Sequence, residues 1–145
     1  MKITLLIGLP GSGKTYLGKQ LKGLFIDDAS KNKGLLALTY LSNAVLKNRP
    51  IKFVTEKTDL IIADPMFCTQ ETLQKAKAKL GAMFPGYEIE CIYFENDPEK
   101  CLRNVRIRND GRLVYGLIRG LSKKYVIPEG IIPRKIWDNS NGKFV

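Results

Sequence analysis

The chain is predicted to fold as an α/β protein, a mainly parallel β-sheet covered by helices on both faces. Three observations predict it. Short apolar, β-prone runs alternate with stretches of helical periodicity, the pattern of strands joined by crossover helices. Ile3–Ile7 and Leu60–Ala63 are apolar enough to read as strands buried on both faces. The length of 145 residues, with 44% hydrophobic and 26% charged side chains, suits one domain spanning 1–145 around a single core.

The elements follow in order. The first strand is expected at about residues 2–7 and the first helix at about 14–22, ended by Gly23. Leu24–Ile26 reads as a short second strand closing on Asp27-Asp28-Ala29-Ser30. Leu35, Leu38, Leu41, Val45 and Leu46 make one apolar face of a helix over 34–47, which Arg49-Pro50 breaks. Ile51–Val54 is either an edge strand or a loop, and Leu60–Ala63 is a strand ending on Asp64-Pro65. Thr69 is expected to cap a helix through Leu73, Ala76 and Leu80, with Lys75, Lys77 and Lys79 on its solvated side. Tyr87 to Phe94 is the next strand. Asp97-Pro98-Glu99 starts a helix running to about Arg108, with Asp as cap and Pro in the first turn. After the turn Asn109-Asp110-Gly111 a helix over 112–124 places Leu113, Leu117 and Leu121 on one side. The tail, punctuated by Pro128 and Pro133, is loop with room for a short strand, and its Trp137 either packs on the core or stacks on a base.

Between the first strand and the first helix lies Gly8-Leu9-Pro10-Gly11-Ser12-Gly13-Lys14-Thr15, which matches G-x-x-x-x-G-K-[ST] in the strand–loop–helix context that gives this pattern its meaning. Glycines let backbone N–H groups approach an anion, and the start of the helix aims partial positive charge at the same place. Lys14 supplies a cation for the β- and γ-phosphates and Thr15 a hydroxyl for Mg²⁺. Gly8, Pro10, Gly11, Ser12, Gly13, Lys14, Thr15 and Tyr16 are therefore the expected ATP-binding residues, and the fold class narrows to a P-loop NTPase-type sheet. In such sheets ligands sit at the carboxyl ends of the strands, where Asp27, Asp28 and Asp64 also fall. Asp64 closes an apolar strand, as the carboxylate that organises Mg²⁺ does; the competing reading is a turn-initiating Asp before Pro65. Asp27, before Asp28, is the expected base toward an acceptor hydroxyl, against capping or solvation of that segment.

The chain carries 24 Lys and Arg against 14 acidic residues, a net charge of +10. Residues 103–135 hold Arg103, Arg106, Arg108, Arg112, Arg119, Lys123, Lys124, Arg134 and Lys135, opposed only by Asp110 and Glu129. That concentration points to a polyanionic partner, nucleic acid and DNA first, and to an Arg-rich helical lid whose arginines neutralise charge on a transferring phosphoryl group. Arg103 and Arg106, three apart on one helix face, are the expected catalytic pair, with Arg108 on the nucleotide. A solvated basic surface is the alternative. The absence of His excludes His bases, Ser-His-Asp triads and His metal sites. Cys68, Cys91 and Cys101 are scattered without C-x-x-C, which disfavours zinc and fits small core residues in a reduced, cytoplasmic setting. The apolar start after Met1-Lys2 ends at Pro10-Gly11 inside the loop, unlike a signal peptide, and no stretch is long enough to span a membrane.

On these residues, Gly8 to Thr15, Asp27-Asp28, Asp64 and the arginines, the chain to about Tyr125 resembles the small P-loop kinases, and among them the kinase domain of phage-type polynucleotide kinase. The resemblance implies that Asp27 is the general base, that Asp64 helps organise the site, and that Arg103, Arg106 or Arg108 contacts the donor phosphates. That family has an Arg three residues past its catalytic Asp, which holds the acceptor's 3′-phosphate; here Ser30 stands there, followed by Lys31. The chain also resembles the related phage kinases that phosphorylate 5-hydroxymethyluracil within DNA. The expected activity is ATP- and Mg²⁺-dependent transfer of the γ-phosphate to a hydroxyl on nucleic acid, at a base or a 5′ end, in host cytoplasm if the protein is of phage origin. The alternatives are a kinase of a free nucleoside, nucleotide or other metabolite, and a P-loop ATPase or nucleotide-binding switch.

Overall fold

The computed structural model describes residues 1–26, 59–108 and 114–144. The elements are β1 (Lys2–Ile7), α1 (Lys14–Gln20), β2 (Leu24–Ile26), β3 (Leu60–Ala63), a 3₁₀ turn (Pro65–Cys68), α2 (Gln70–Met83), β4 (Glu88–Tyr93), α3 (Pro98–Arg108), α4 (Tyr115–Lys124), β5 (Trp137–Asp138) and β6 (Lys143–Phe144). The predicted helix over 34–47, the segment 51–54, the turn 109–111, Arg112, Leu113, Asp27 and Asp28 lie outside the described residues.

β1 to β4 form one parallel sheet, flanked by helices, in the order β2-β3-β1-β4. Ile3, Leu5, Leu6 and Ile7 of β1 and all four residues of β3 are buried. Parallel strands under helices exclude water from both sides, which is why these runs are apolar without alternation. Each such Leu or Ile contributes roughly 1.5–3 kcal/mol by leaving water. Leu6 pairs with Ala63 on one side and Ile7 with Tyr93 on the other. Gly8, Asp64 and Phe94 therefore follow at a single edge of the sheet. From β1 the chain reaches β2 beyond β3, returns through β3, and then crosses to β4, so the topological switch point is the carboxyl end of β1. Beyond β4 the tail runs along the sheet: Arg134 bridges Phe94 in parallel, donating to the Tyr93 carbonyl at 2.7 Å and accepting from the Glu95 N–H at 3.0 Å.

Helix α3 begins as expected, with the Asp97 carboxylate accepting from the Lys100 N–H at 3.1 Å. Three details differ from the sequence reading. α1 stops at Gln20 because Leu21 is already extended. Thr69 occupies the N-cap of α2 but turns its hydroxyl back to the Met66 carbonyl at 2.9 Å, closing the 3₁₀ turn instead. The buried face of α4 is Ile118 and Leu121, continued by Tyr125, while Leu117 is 40% exposed. Spacings of three and four from Ile118 stay over one face of the helix, and Leu117 falls a residue out of step with it. Among the described residues no helix is long and apolar enough to cross a membrane.

Tyr125 ties this helix to the sheet. Its buried hydroxyl lies 2.5 Å from the Phe94 carbonyl and 3.2 Å from that of Ile7, the last residue of β1. Burial raises its pKa, so it remains a donor throughout the accessible pH range. Tyr125→Phe should lower stability by about 1 kcal/mol, measured by denaturant unfolding, since it removes a buried hydrogen bond and leaves the ring in place.

Candidate functional site

The loop from Gly8 to Thr15 leaves the switch point and turns directly into α1. Its shape depends on backbone conformations that side chains disfavour. Gly11 and Gly13 have φ of 85° and 105°, the left-handed region. A Cβ on Gly13 would lie 2.5 Å from the Trp137 Cβ, and one on Gly11 would lie 2.6 Å from the Cys101 carbonyl oxygen. The glycines thus let two outer elements, α3 and the C-terminal hairpin in which β5 pairs antiparallel with β6, rest on the backbone of the loop.

Lys14 does not extend into solvent. Its ammonium donates to the carbonyls of Gly8 at 2.7 Å and Leu9 at 2.9 Å, and the residue is only 7% exposed. A cation held so deep is costly unless its N–H groups are bonded, and the loop carbonyls provide that. Beside it, Ser12 is fully buried, and its Oγ has no hydrogen-bond partner among the described residues. An unpaired buried hydroxyl costs about 1–3 kcal/mol, a cost that a bound acceptor would relieve. Pro10 and Thr15 are half-buried on the loop, and Tyr16 is exposed at its exit. Tyr16 stacks on Trp137 with ring centroids 4.2 Å apart and planes 11° apart, so the tryptophan packs against the loop's own aromatic. Phe144 meets Trp137 edge-on at 4.9 Å.

Asp64 lies at the same sheet edge and is fully buried. Its Oδ1 accepts from the Met66 N–H at 2.7 Å, capping the 3₁₀ turn. The turn-initiating role weighed in the sequence is therefore present. Among the described residues no three acidic or thiol side chains gather into a metal-binding group. Asp27 and Asp28 would follow Ile26 at the end of β2, outside the described residues.

The arginines separate by helix face. Cys101, Asn104 and Val105 are buried on α3, and the first two touch the loop at Gly11. Arg108 continues that stripe at spacings of three and four. Arg103, Arg106 and Arg108 are all exposed, Arg103 lies opposite the buried residues, and it donates to the Ser140 hydroxyl at 2.9 Å. Arg119 faces Glu99 at 3.4 Å and Lys135 faces Glu95 at 3.0 Å, exposed pairs worth at most about 1 kcal/mol each. The sequence reading missed Asn104. It is a lone Asn in a basic helix, and its partners lie 93 and 33 residues away, so no local pattern marks it.

Cys68 and Cys101 are buried near Lys14, and burial pushes both thiols up to about 12 despite the pull of that ammonium. Below that pH they stay protonated and unreactive. Alkylation of the native chain at pH 8, followed by peptide mass analysis, should label half-buried Cys91 first and reach the other two only on unfolding. Ser12→Ala should leave the melting temperature unchanged or raise it, because it deletes an unpaired buried hydroxyl. The same substitution should weaken nucleotide binding several-fold in a fluorescent-ATP titration; undiminished affinity would mean that the hydroxyl serves no ligand.

No family model matches the chain. It is 32% identical over 130 residues to "Uncharacterized protein R277" of Acanthamoeba polyphaga mimivirus, covering 87% of each chain. It is similar in fold to the solved structure titled "Crystal structure of APE1195", with a TM-score of 0.50 and 16% identity, covering 89% of this chain and 81% of that one.

Proposed function

We propose that this chain, which belongs to the family of the mimivirus protein R277, is an ATP-dependent phosphotransferase of the P-loop kinase type whose acceptor is a hydroxyl on nucleic acid. The observation that carries this reading is the buried ammonium of Lys14, held over the Gly8 and Leu9 carbonyls beside the unpaired Ser12 hydroxyl, at the switch point of a parallel sheet. A cation and a hydroxyl donor under a glycine-rich turn suit an anion with several acceptor oxygens.

In this reading Lys14, Ser12 and the loop amides hold the β- and γ-phosphates of ATP. Thr15 and Asp64 are the residues that would hold Mg²⁺, which when bound neutralises phosphate charge. The acceptor oxygen bonds to the γ-phosphorus, the bond from that phosphorus to the bridging oxygen breaks, and ADP leaves. Asp27, or Asp28, takes the hydroxyl proton. Arg103, Arg106 or Arg108 of α3 faces the donor phosphates and offsets charge that develops during transfer, Arg108 being in register with Asn104, which bonds to the loop. Most of the work is positioning and electrostatics. The net charge of +10 supports a polyanionic acceptor.

The test is transfer of labelled γ-phosphate from ATP to a panel: 5′-hydroxyl DNA and RNA oligonucleotides, duplex DNA carrying 5-hydroxymethyluracil, and free nucleosides and nucleotides. Label should appear on a polymer, with transfer falling as salt rises. Lys14→Ala should abolish it, and Asp27→Asn should abolish it while nucleotide binding persists. Label confined to monomers would make this a metabolite kinase. Hydrolysis without any acceptor would make it an ATPase or switch.

A further inference from the structure

The loop is also held from outside, and one buried side chain joins it to both outer elements. Asn104 of α3 is 3% exposed. Its amide nitrogen donates to the Gly11 carbonyl at 2.8 Å and to the Trp137 carbonyl. Its Oδ1 accepts from the Asn139 N–H at 3.1 Å, and its own backbone carbonyl accepts from the Asn139 amide at 2.9 Å. A planar group with two donors and one acceptor therefore joins the loop, α3 and the C-terminal hairpin at one point. No other residue type matches it there. Asp would set a carboxylate against two carbonyl oxygens, and Leu would leave three buried backbone groups unpaired.

The adjoining peptide of the loop is pinned in the same way. The Trp137 N–H donates to the Ser12 carbonyl at 3.0 Å. Two successive carbonyls, of Gly11 and Ser12, are thus fixed by groups lying outside the loop. In a planar trans peptide the N–H points opposite to the C=O, so pinning the Ser12 carbonyl outward aims the Gly13 N–H away from the hairpin. The plane between Gly11 and Ser12 also sets where the Ser12 side chain starts. Because Arg108 sits one helical turn after Asn104, the same attachment fixes the arginine-bearing stripe relative to the loop.

We infer that Asn104, together with the hairpin it anchors through Asn139, is a positioning residue for the nucleotide: it sets the peptide planes of the loop before ligand arrives, so that affinity for the phosphates depends on residues 137–144. The inference rests on the reading of Gly8–Thr15 as a phosphate-binding loop. Preorganised donors lose little freedom on binding, and outer residues that orient ligating groups commonly govern affinity.

The test compares fluorescent-ATP affinity, kcat and KM for ATP, and melting temperature among the wild-type chain, Asn104→Leu, Asn139→Ala and Asn96→Ala. Asn96 is a stability control; among the described residues its side chain ties the Ser122 and Tyr125 carbonyls. Asn104→Leu should weaken nucleotide binding on the order of tenfold or more at a temperature where circular dichroism shows it folded, raising KM for ATP with acceptor KM unmoved. Asn139→Ala should shift affinity in the same direction by less, and Asn96→Ala should keep wild-type affinity whatever its melting temperature. Affinity of Asn104→Leu within about twofold of wild type would overturn the inference, leaving a purely structural role. If that variant does not fold, Asn139→Ala decides by the same criterion. A wild-type chain that binds no nucleotide would overturn the phosphate-loop reading itself, and this inference with it.

Discussion

The ammonium of Lys14 closing on the Gly8 and Leu9 carbonyls is the contact on which the arrangement depends. It folds the first turn of α1 back over the end of β1 and so makes a compact loop of a strand-to-helix connection. The loop carbonyls, at hydrogen-bond distance, offset the cost of burying that charge. The loop in turn needs backbone angles at Gly11 and Gly13 that would be strained with a side chain. The cation, the glycines and the buried Ser12 hydroxyl form a single constraint, and changing any one of them changes the environment of the others.

The last third of the chain is built onto the first fifteen residues. Tyr125 reaches the Ile7 carbonyl, Asn104 the Gly11 carbonyl, and the Trp137 N–H the Ser12 carbonyl. Each of these takes up a backbone acceptor that lies just before the helix or at the strand's end, where regular ladders no longer provide partners. The tail is therefore no appendage. It bonds to the Ser12 carbonyl of the loop, and Trp137 covers Gly13 while stacking on Tyr16.

The positive charge is distributed with less uniformity than its total suggests. Arg119 and Lys135 face glutamates, and Arg103 reaches Ser140 in the hairpin. On α3 the buried residues are Cys101, Leu102, Asn104 and Val105, and Arg103, Arg106 and Arg108 are all exposed. Net charge alone does not say which of these cations serve a ligand and which a neighbouring carboxylate.

The sequence by itself determined the parallel sheet and the loop. Apolar runs of four to six residues, the G-x-x-x-x-G-K-[ST] spacing and the Asp97-Pro98 helix start act over a few neighbouring residues, and such signals survive without knowledge of the fold. The face of α4 was legible only in part. Leu117 and Ile118 are both apolar neighbours, and only packing against α3 and the 3₁₀ turn buries Ile118 and exposes Leu117. Asp64 read equally as a metal-organising carboxylate and as a turn initiator, and the 3₁₀ turn after it makes use of the second. Tertiary structure alone decided that Asn104 and Trp137 would meet the loop. Those contacts span 93 and more residues, and no local spacing records which distant carbonyl a buried amide will satisfy.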